Sequence, residues 1–157
     1  MDRFKEFLLS NDTDSIYSIT SDIVVLVLAI VFLWKIFEKA GEKGWEALIP
    51  VYNTYILFKI AWKEKYFWIL YLFVFTMFFG ALLMGINPSN LVLGGFGYII
   101  IIGSCVGMLV IYFSLLSKIC NSFNKGGLFM LGLIFLNIIF FGILAFDKSK
   151  YVGPSAK

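Results

Sequence analysis

The sequence predicts an all-α integral membrane protein: a four-helix bundle with an amphipathic helix in the membrane interface between the first and second spans. Two observations lead to this fold class. The chain is 61% hydrophobic and 15% charged, whereas soluble domains carry about 25% charged residues. No Asp, Glu, Lys, Arg or His lies between Lys65 and Lys118. At about 1.5 Å per helical residue, this run suits two crossings of a hydrocarbon core roughly 30 Å thick. Residues 1–157 are predicted to form a single membrane domain.

The first span is predicted over residues 22–37. Its uncharged part, Ile23–Trp34, is short, but Asp22 can cap the helix at the interface and Lys35 can extend its ammonium group to the headgroups. A cleaved signal peptide is the weaker interpretation, because acidic residues precede the apolar run and no small-residue cleavage site follows it.

The segment 45–62 is predicted to lie in the interface. It contains Glu46, Asn53 and Lys59, which are costly in hydrocarbon. Its apolar residues recur at the helical spacing i, i+3, i+4, i+7. They form one face: Trp45, Leu48, Ile49, Tyr52, Ile56 and Ile60. Pro50 is expected to kink this helix or to start a second helical piece.

Three further spans are predicted over residues 66–86, 96–116 and 128–146. Asn87-Pro88-Ser89-Asn90 is a strong turn signal between the second and third spans. The tail that begins at Asp147 is short and basic, and we expect it to be mobile.

Four spans would place both termini on one side of the membrane. The other side then carries more basic residues, eight against five at the termini. These eight are Lys35, Lys39, Lys43, Lys59, Lys63, Lys65, Lys118 and Lys125. Because cytoplasmic loops are enriched in Lys and Arg, this distribution predicts a cytoplasmic 35–65 loop and external termini.

The residue types do not favour catalysis. Histidine is absent, and no acidic residue lies deep in a predicted span, so few groups are suited to acid–base or metal chemistry. A Ser117–Lys118 dyad is unfavourable because neighbours on a helix do not face each other. We expect no enzyme activity, no catalytic residues, no cofactor and no metal. A net charge of +3 gives nucleic-acid binding no electrostatic support.

Two features within the predicted spans are candidates for helix packing. Gly103 and Gly107 form a GxxxG step that lets helix backbones approach closely, within the chain or in a homo-oligomer. Asn137 lies near the middle of the predicted fourth span. We expect it to bond to another helix, and a polar position on a permeation path is the alternative.

The loop carries a resemblance to a known family. The strings Lys39-Ala40-Gly41, Gly44-Trp45 and Ala47-Leu48-Ile49-Pro50-Val51-Tyr52-Asn53 resemble the signature of small prokaryotic polytopic membrane proteins of unknown function. Members of that family are sometimes labelled signal-peptidase-like. The resemblance implies a compact multi-pass protein of the prokaryotic cytoplasmic (inner) membrane, and it supplies no catalytic residues. We expect Trp45, Pro50, Tyr52 and Asn53 to dock the loop or to contact a partner.

Two function hypotheses follow. The first is a non-enzymatic membrane subunit, regulator or immunity-type protein that acts by contacting another protein. The alternative is a small carrier or pore for a small molecule or a lipid. The lipid bilayer is the expected surrounding, and a membrane protein or a second copy of the chain is the candidate partner.

Overall fold

The structure, a computed structural model, describes the backbone of residues 2–86 and 90–155 and the side chains of residues 16–86 and 90–155. All the regular elements in this part of the chain are helices, which confirms the predicted all-α class. The elements are α1 Asp2–Ala40, a 3-10 helix Gly44–Leu48, α2 Pro50–Ala61, α3 Lys65–Ile86, α4 Leu91–Ser122, α5 Gly127–Phe135 and α6 Asn137–Phe146.

Three of these helices are long and apolar enough to cross a membrane. They are Ile16–Ala40 within α1, Lys65–Ile86 and Leu91–Ser122. Each exposes rows of large apolar side chains, which a bilayer accommodates and water does not. The chain is therefore a membrane protein.

The turn expected at Asn87-Pro88-Ser89 lies outside the described residues. Asn90, which follows it, caps the start of α4. Its Oδ1 accepts hydrogen bonds from the backbone N–H groups of Val92 and Leu93, both at 3.1 Å. This cap satisfies two of the donors that a helix start leaves unpaired.

The region predicted as a fourth span, 128–146, is two short helices in the structure. A continuous helix from Gly127 to Phe146 would hold its ends about 29 Å apart. Instead, Lys125 just before α5 and Asp147 just after α6 form an ion pair. The rings of Phe129 in α5 and Phe140 in α6 also meet, with centroids 5.0 Å apart. The two helices therefore fold back on each other, and we call α5, Leu136 and α6 together the α5–α6 hairpin.

The bend has local causes. Leu136 adopts φ −126° and ψ 49°, outside the helical region. The Asn137 side chain donates to the Leu133 carbonyl at 3.3 Å, the acceptor that the backbone N–H of residue 137 would use in a continuous helix. Gly132 lies against the Phe140 ring, where a side chain at position 132 would collide with it. These contacts allow α6 to reverse direction.

The segment 45–62, predicted as one helix, is divided by the structure into the 3-10 helix and α2. Pro50 is the first residue of α2, so it starts a second helix rather than kinking a single one. Proline suits the first helical position because the N–H that it lacks would have no partner there. The predicted apolar face divides as well. Trp45 is 45% exposed, whereas Ile56 and Ile60 are buried against the rest of the protein.

The buried core lies at the end of the molecule where α1 ends and α2 packs. Its large, almost fully enclosed side chains are Ile36, Phe37, Ile56, Phe58, Ile119, Phe123 and Leu144. These side chains come from α1, α2, α4 with the residue that follows it, and α6, and the same core includes Ala47 of the 3-10 helix and Phe67 of α3.

The tail is docked against this end, contrary to the expected mobility. The Tyr151 hydroxyl donates to the Ile60 carbonyl at 2.7 Å, and the Val152 N–H donates to the Ser122 carbonyl at 2.8 Å. The Ser155 N–H donates to the Ala61 carbonyl at 3.0 Å. Since the last carbonyls of a helix lack partners within it, the tail satisfies the ends of α2 and α4.

Candidate functional site

A pocket of about 690 Å³ lies between α1, α4 and the bend of the α5–α6 hairpin. We call it the hairpin pocket. Its volume falls within the roughly 300–1,000 Å³ typical of small-molecule sites. The lining residues include Val25 and Ala29 from α1, Leu115 and Leu116 from α4, and Leu136 and Ile139 at the bend.

One polar pair, Asn137 and Tyr112, lies in this apolar wall. Asn137 Nδ2 donates to Tyr112 Oη at 3.2 Å and to the Leu133 carbonyl at 3.3 Å. Tyr112 is 42% exposed, and both side chains line the pocket. Within the described part of the chain, these bonds leave the Tyr112 hydroxyl proton and the Asn137 Oδ1 acceptor free. The pocket therefore offers a donor and an acceptor side by side.

A carboxylate at the base of the hairpin joins its two ends to α1. Lys39 Nζ lies 3.0 Å from Asp147 Oδ1 and donates to the carbonyl oxygens of Leu144 at 2.6 Å and Asp147 at 2.7 Å. Lys125 pairs with Asp147 Oδ2, and the Ser149 N–H donates to Oδ1 at 3.0 Å. We call Lys39, Asp147 and Lys125 the hairpin clasp.

The clasp keeps its carboxylate charged. Burial by itself raises the pKa of Asp147, but the Lys125 ammonium, Ser149 and Lys39 outweigh this effect. They hold the pKa of the carboxyl well below its usual range. The Lys39 ammonium also lies against the last carbonyls of α6, where a cation is favoured by the helix dipole.

Three of the four loop residues singled out from the sequence contact one another or the loop backbone. The rings of Trp45 and Tyr52 are stacked with centroids 6.5 Å apart, and Tyr52 stacks on Tyr55 at 5.8 Å. Asn53 Nδ2 donates to the Ala47 carbonyl at 3.3 Å, which joins α2 to the 3-10 helix. The fourth, Pro50, starts α2 between them.

Charged residues of this loop also find partners or burial: an ion pair links the turn after α1 to α2, and one carboxylate is buried in the 3-10 helix. Lys59 Nζ lies 2.8 Å from Glu42 Oε1, and this bond raises the pKa of Lys59. Glu46 in the 3-10 helix is only 6% exposed, and its Oε2 accepts no hydrogen bond from the described residues. Spacing along the chain could not show these contacts, because Glu42 and Lys59 are brought together by the turn between α1 and α2.

The two glycines of the GxxxG step lie in different surroundings. A Cβ added at Gly107 would lie 2.5 Å from the Phe73 ring of α3, whereas Gly103 faces open space. A Cβ added at Gly97 would lie 2.7 Å from the Gly80 carbonyl oxygen. The Gly80–Gly97 contact has no signal in the sequence because the two residues belong to different helices.

The arrangement of the hairpin pocket is suited to binding. None of its lining residues is acidic or basic, so it can enclose an apolar molecule and orient it through the Asn137–Tyr112 pair. Because lipid tails are as apolar as this wall, close packing and the hydrogen bonds of the polar pair would supply the preference for a ligand over the surrounding lipid.

Comparison with known proteins yields a family and no activity. Residues 45–154 match a family described as Family of unknown function (DUF5684). The match runs from the 3-10 helix through α6 into the docked tail. No curated protein and no solved structure matches the chain.

Proposed function

We propose, for a chain that belongs to the DUF5684 family of unknown function, a role as a non-enzymatic membrane protein that binds the apolar part of a lipid-like molecule. The observation that carries this proposal is the hairpin pocket of about 690 Å³, apolar except for the Asn137–Tyr112 pair. It favours binding of a lipid, as the carrier-or-pore alternative would require, over the partner hypothesis. The subunit, regulator or immunity-type role, with another membrane protein or a second copy as partner, stays a prediction.

The proposed topology has three spans and a re-entrant hairpin in place of the four-helix bundle. α1, α3 and α4 cross the bilayer. The α5–α6 hairpin enters and leaves on the same side, because the clasp joins its two ends. With nine and ten residues, α5 and α6 are about 14 and 15 Å long, half of a hydrocarbon core roughly 30 Å thick. Within the hairpin, α6 packs against α1 and α5 packs against α4. At the bend, the Asn137 side chain donates to the Leu133 carbonyl, which gives this backbone group the partner that membrane depth requires.

The basic residues support this topology. With the tail on the side of the 35–65 loop, Lys148, Lys150 and Lys157 join the eight basic residues already there, and only Arg3 and Lys5 lie opposite. The rule that cytoplasmic segments are rich in Lys and Arg then assigns the loop and tail to the cytoplasm. The start of α1 then lies on the external side. The membrane is proposed to be the inner membrane of a prokaryote.

The 3-10 helix and the start of α2 are proposed to lie in the cytoplasmic interface. Trp45, Leu48, Ile49 and Val51 are 45 to 54% exposed there, although each would be costly to leave in water as part of one apolar patch. Trp45 and the stacked Tyr52 have the amphipathic rings that settle at headgroup depth.

The pocket is tested by photolabelling with a long-chain alkane that carries a diazirine group. In detergent, the labelled peptides should come from α1, α4 and the hairpin bend. Ala29→Phe, which places a ring in the pocket, should lower this labelling at least fivefold. The matched control Ala81→Phe places the same ring on an exposed position of α3 and should leave labelling unchanged. Equal labelling of the pocket and α3, or no response to Ala29→Phe, would contradict the proposed function.

A further inference from the structure

We propose that the hairpin pocket selects a neutral lipid with a free hydroxyl group, and that Asn137 and Tyr112 recognise this hydroxyl together. The inference rests on the binding role proposed above and deepens it by naming the chemistry of the ligand.

The hydrogen bonds of the pair define what it recognises. Tyr112 Oη already accepts from Asn137 Nδ2 at 3.2 Å, so its own proton is available to a ligand. Asn137 Nδ2 also donates to the Leu133 carbonyl at 3.3 Å, so the oxygen Oδ1 is the part of the amide available to a ligand. A hydroxyl group can accept from Tyr112 and donate to Asn137 Oδ1. A carbonyl or ether oxygen can use only the first of these bonds.

The surroundings favour a neutral group. No acidic or basic side chain lines the pocket. At the base of the hairpin, Lys39 and Lys125 are paired with Asp147, and Lys118 Nζ donates to the Ser155 carbonyl at 2.7 Å. Tyr112 lies six residues from Lys118 along α4 and Val25 lies ten residues from Lys35 along α1. At about 1.5 Å per residue, Tyr112 lies about 9 Å inward from Lys118, and Val25 in the pocket wall lies about 15 Å inward from Lys35. A charged headgroup at that depth would lose hydration without gaining an ion pair.

The volume of the pocket suits a long apolar chain. At about 690 Å³, it lies within the range of roughly 300–1,000 Å³ found for sites that take small molecules. Val25 and Ile139 in its wall are 52% and 53% exposed, so a longer chain can extend from the pocket into the bilayer. The ligand class is therefore a long-chain alcohol or another neutral lipid that keeps one hydroxyl free.

The geometry of the pair is fixed by the hairpin. Asn137 begins α6 directly after the bend, and its amide is oriented by the Leu133 carbonyl. Tyr112 projects from α4, a separate span. Recognition therefore depends on the hairpin remaining folded against α4.

Competition experiments test this ligand class. The photoactivatable alkane labels the purified protein while a long-chain alcohol, a ketone or an alkane of equal length competes. In the wild-type protein the alcohol should compete about three- to tenfold better than the alkane, the range expected for hydrogen bonds between polar groups in lipid. Tyr112→Phe should abolish this preference and leave competition by the alkane unchanged. The matched control Tyr98→Phe changes a tyrosine that is 59% exposed on the same helix and should keep the preference.

The outcomes separate the two proposals. Saturable pocket labelling with equal competition by alcohol and alkane would overturn the hydroxyl assignment and leave the binding role intact. A ketone that competes as well as the alcohol, or a preference that survives Tyr112→Phe, would overturn the assignment too. Pocket labelling no stronger than that of α3 would overturn the binding role and the ligand class together.

Discussion

Asp147→Asn is expected to loosen the α5–α6 hairpin, because one carboxylate joins both of its ends to α1. The Asp147 side chain is 19% exposed, and those of Lys39 and Lys125 are 22% and 26% exposed. Exposed ion pairs contribute about 0 to 1 kcal/mol, whereas breaking a fully buried pair costs about 3 to 5 kcal/mol. A pair of intermediate burial places the expected loss in unfolding free energy at about 2 to 3 kcal/mol. The asparagine also leaves two ammonium groups close together without a counter-charge.

The same carboxylate predicts a pH dependence of stability. Its pKa is lower in the folded protein than in the unfolded chain, where it is about 3.9. Its contribution is complete above the unfolded pKa and is lost as the pH falls through the lower folded pKa. The wild-type protein should therefore lose stability as the pH falls below about 4, and Asp147→Asn should flatten this part of the profile.

Reversible unfolding in mixed detergent micelles would measure both effects. Lys148→Gln is the matched control, because it changes the charge of the neighbouring residue, which is exposed. A loss of unfolding free energy below about 0.5 kcal/mol for Asp147→Asn, the range of ordinary surface changes, would refute the stabilising role of the clasp. A loss equal to that of the Lys148→Gln control would refute it as well.

Three further predictions concern topology, packing and the loop. Single cysteines at positions 126 and 148, in a background without native cysteines, should be labelled by an impermeant maleimide from the same side; labelling from opposite sides would restore the fourth span. Gly97→Ala should lower the unfolding free energy in detergent by about 1 to 3 kcal/mol, because its Cβ would meet a backbone oxygen. Gly103→Ala, measured in the same way, should be neutral or stabilise α4 by up to about 1 kcal/mol. If the loop contacts a protein partner, Trp45→Ala should lower partner recovery in pull-downs normalised to membrane level; equal loss of recovery and abundance would mean that the loop only supports the fold.

The central spans were predictable because hydropathy alone determines them. The span predicted over residues 66–86 is α3, Lys65–Ile86. The span predicted over 96–116 lies within α4, which continues to Ser122. The last turns of α4, after residue 116, contain polar residues because they pack against other parts of the protein. Ser122, for example, donates to the Ala61 carbonyl at 3.3 Å, a contact between residues distant in sequence.

The hairpin could not be predicted from the same pattern. A run of apolar residues over 128–146 has the composition of one span and equally of two short helices. What distinguishes them is the clasp, in which Lys39 and Asp147 are 108 residues apart. Gly132 and Asn137 are local signals of the bend, but each also occurs in straight membrane helices. Whether these two residues mark a bend depends on contacts between helices, which the sequence does not show.

The site was partly visible in the sequence. Asn137 stood out because it is polar within an apolar run, and the structure places it at the bend in contact with the pocket. Tyr112 did not stand out, since it is one of many aromatic residues in the apolar helices. The pair forms only because the hairpin returns Asn137 to the level of Tyr112, 25 residues earlier in the chain.

The clasp and the polar pair should therefore act on binding in different ways. Asp147 lies at the base of the hairpin and does not line the pocket, so Asp147→Asn should lower labelling by alkane and alcohol alike as the hairpin loosens. Tyr112→Phe removes one hydroxyl from the wall and should lower only the preference for the alcohol. Measuring both probes on both variants separates a residue that positions the pocket from a residue that recognises the ligand. Selective loss of the alcohol in Asp147→Asn would contradict this division, because it would mean that the clasp acts on the polar pair without loosening the walls.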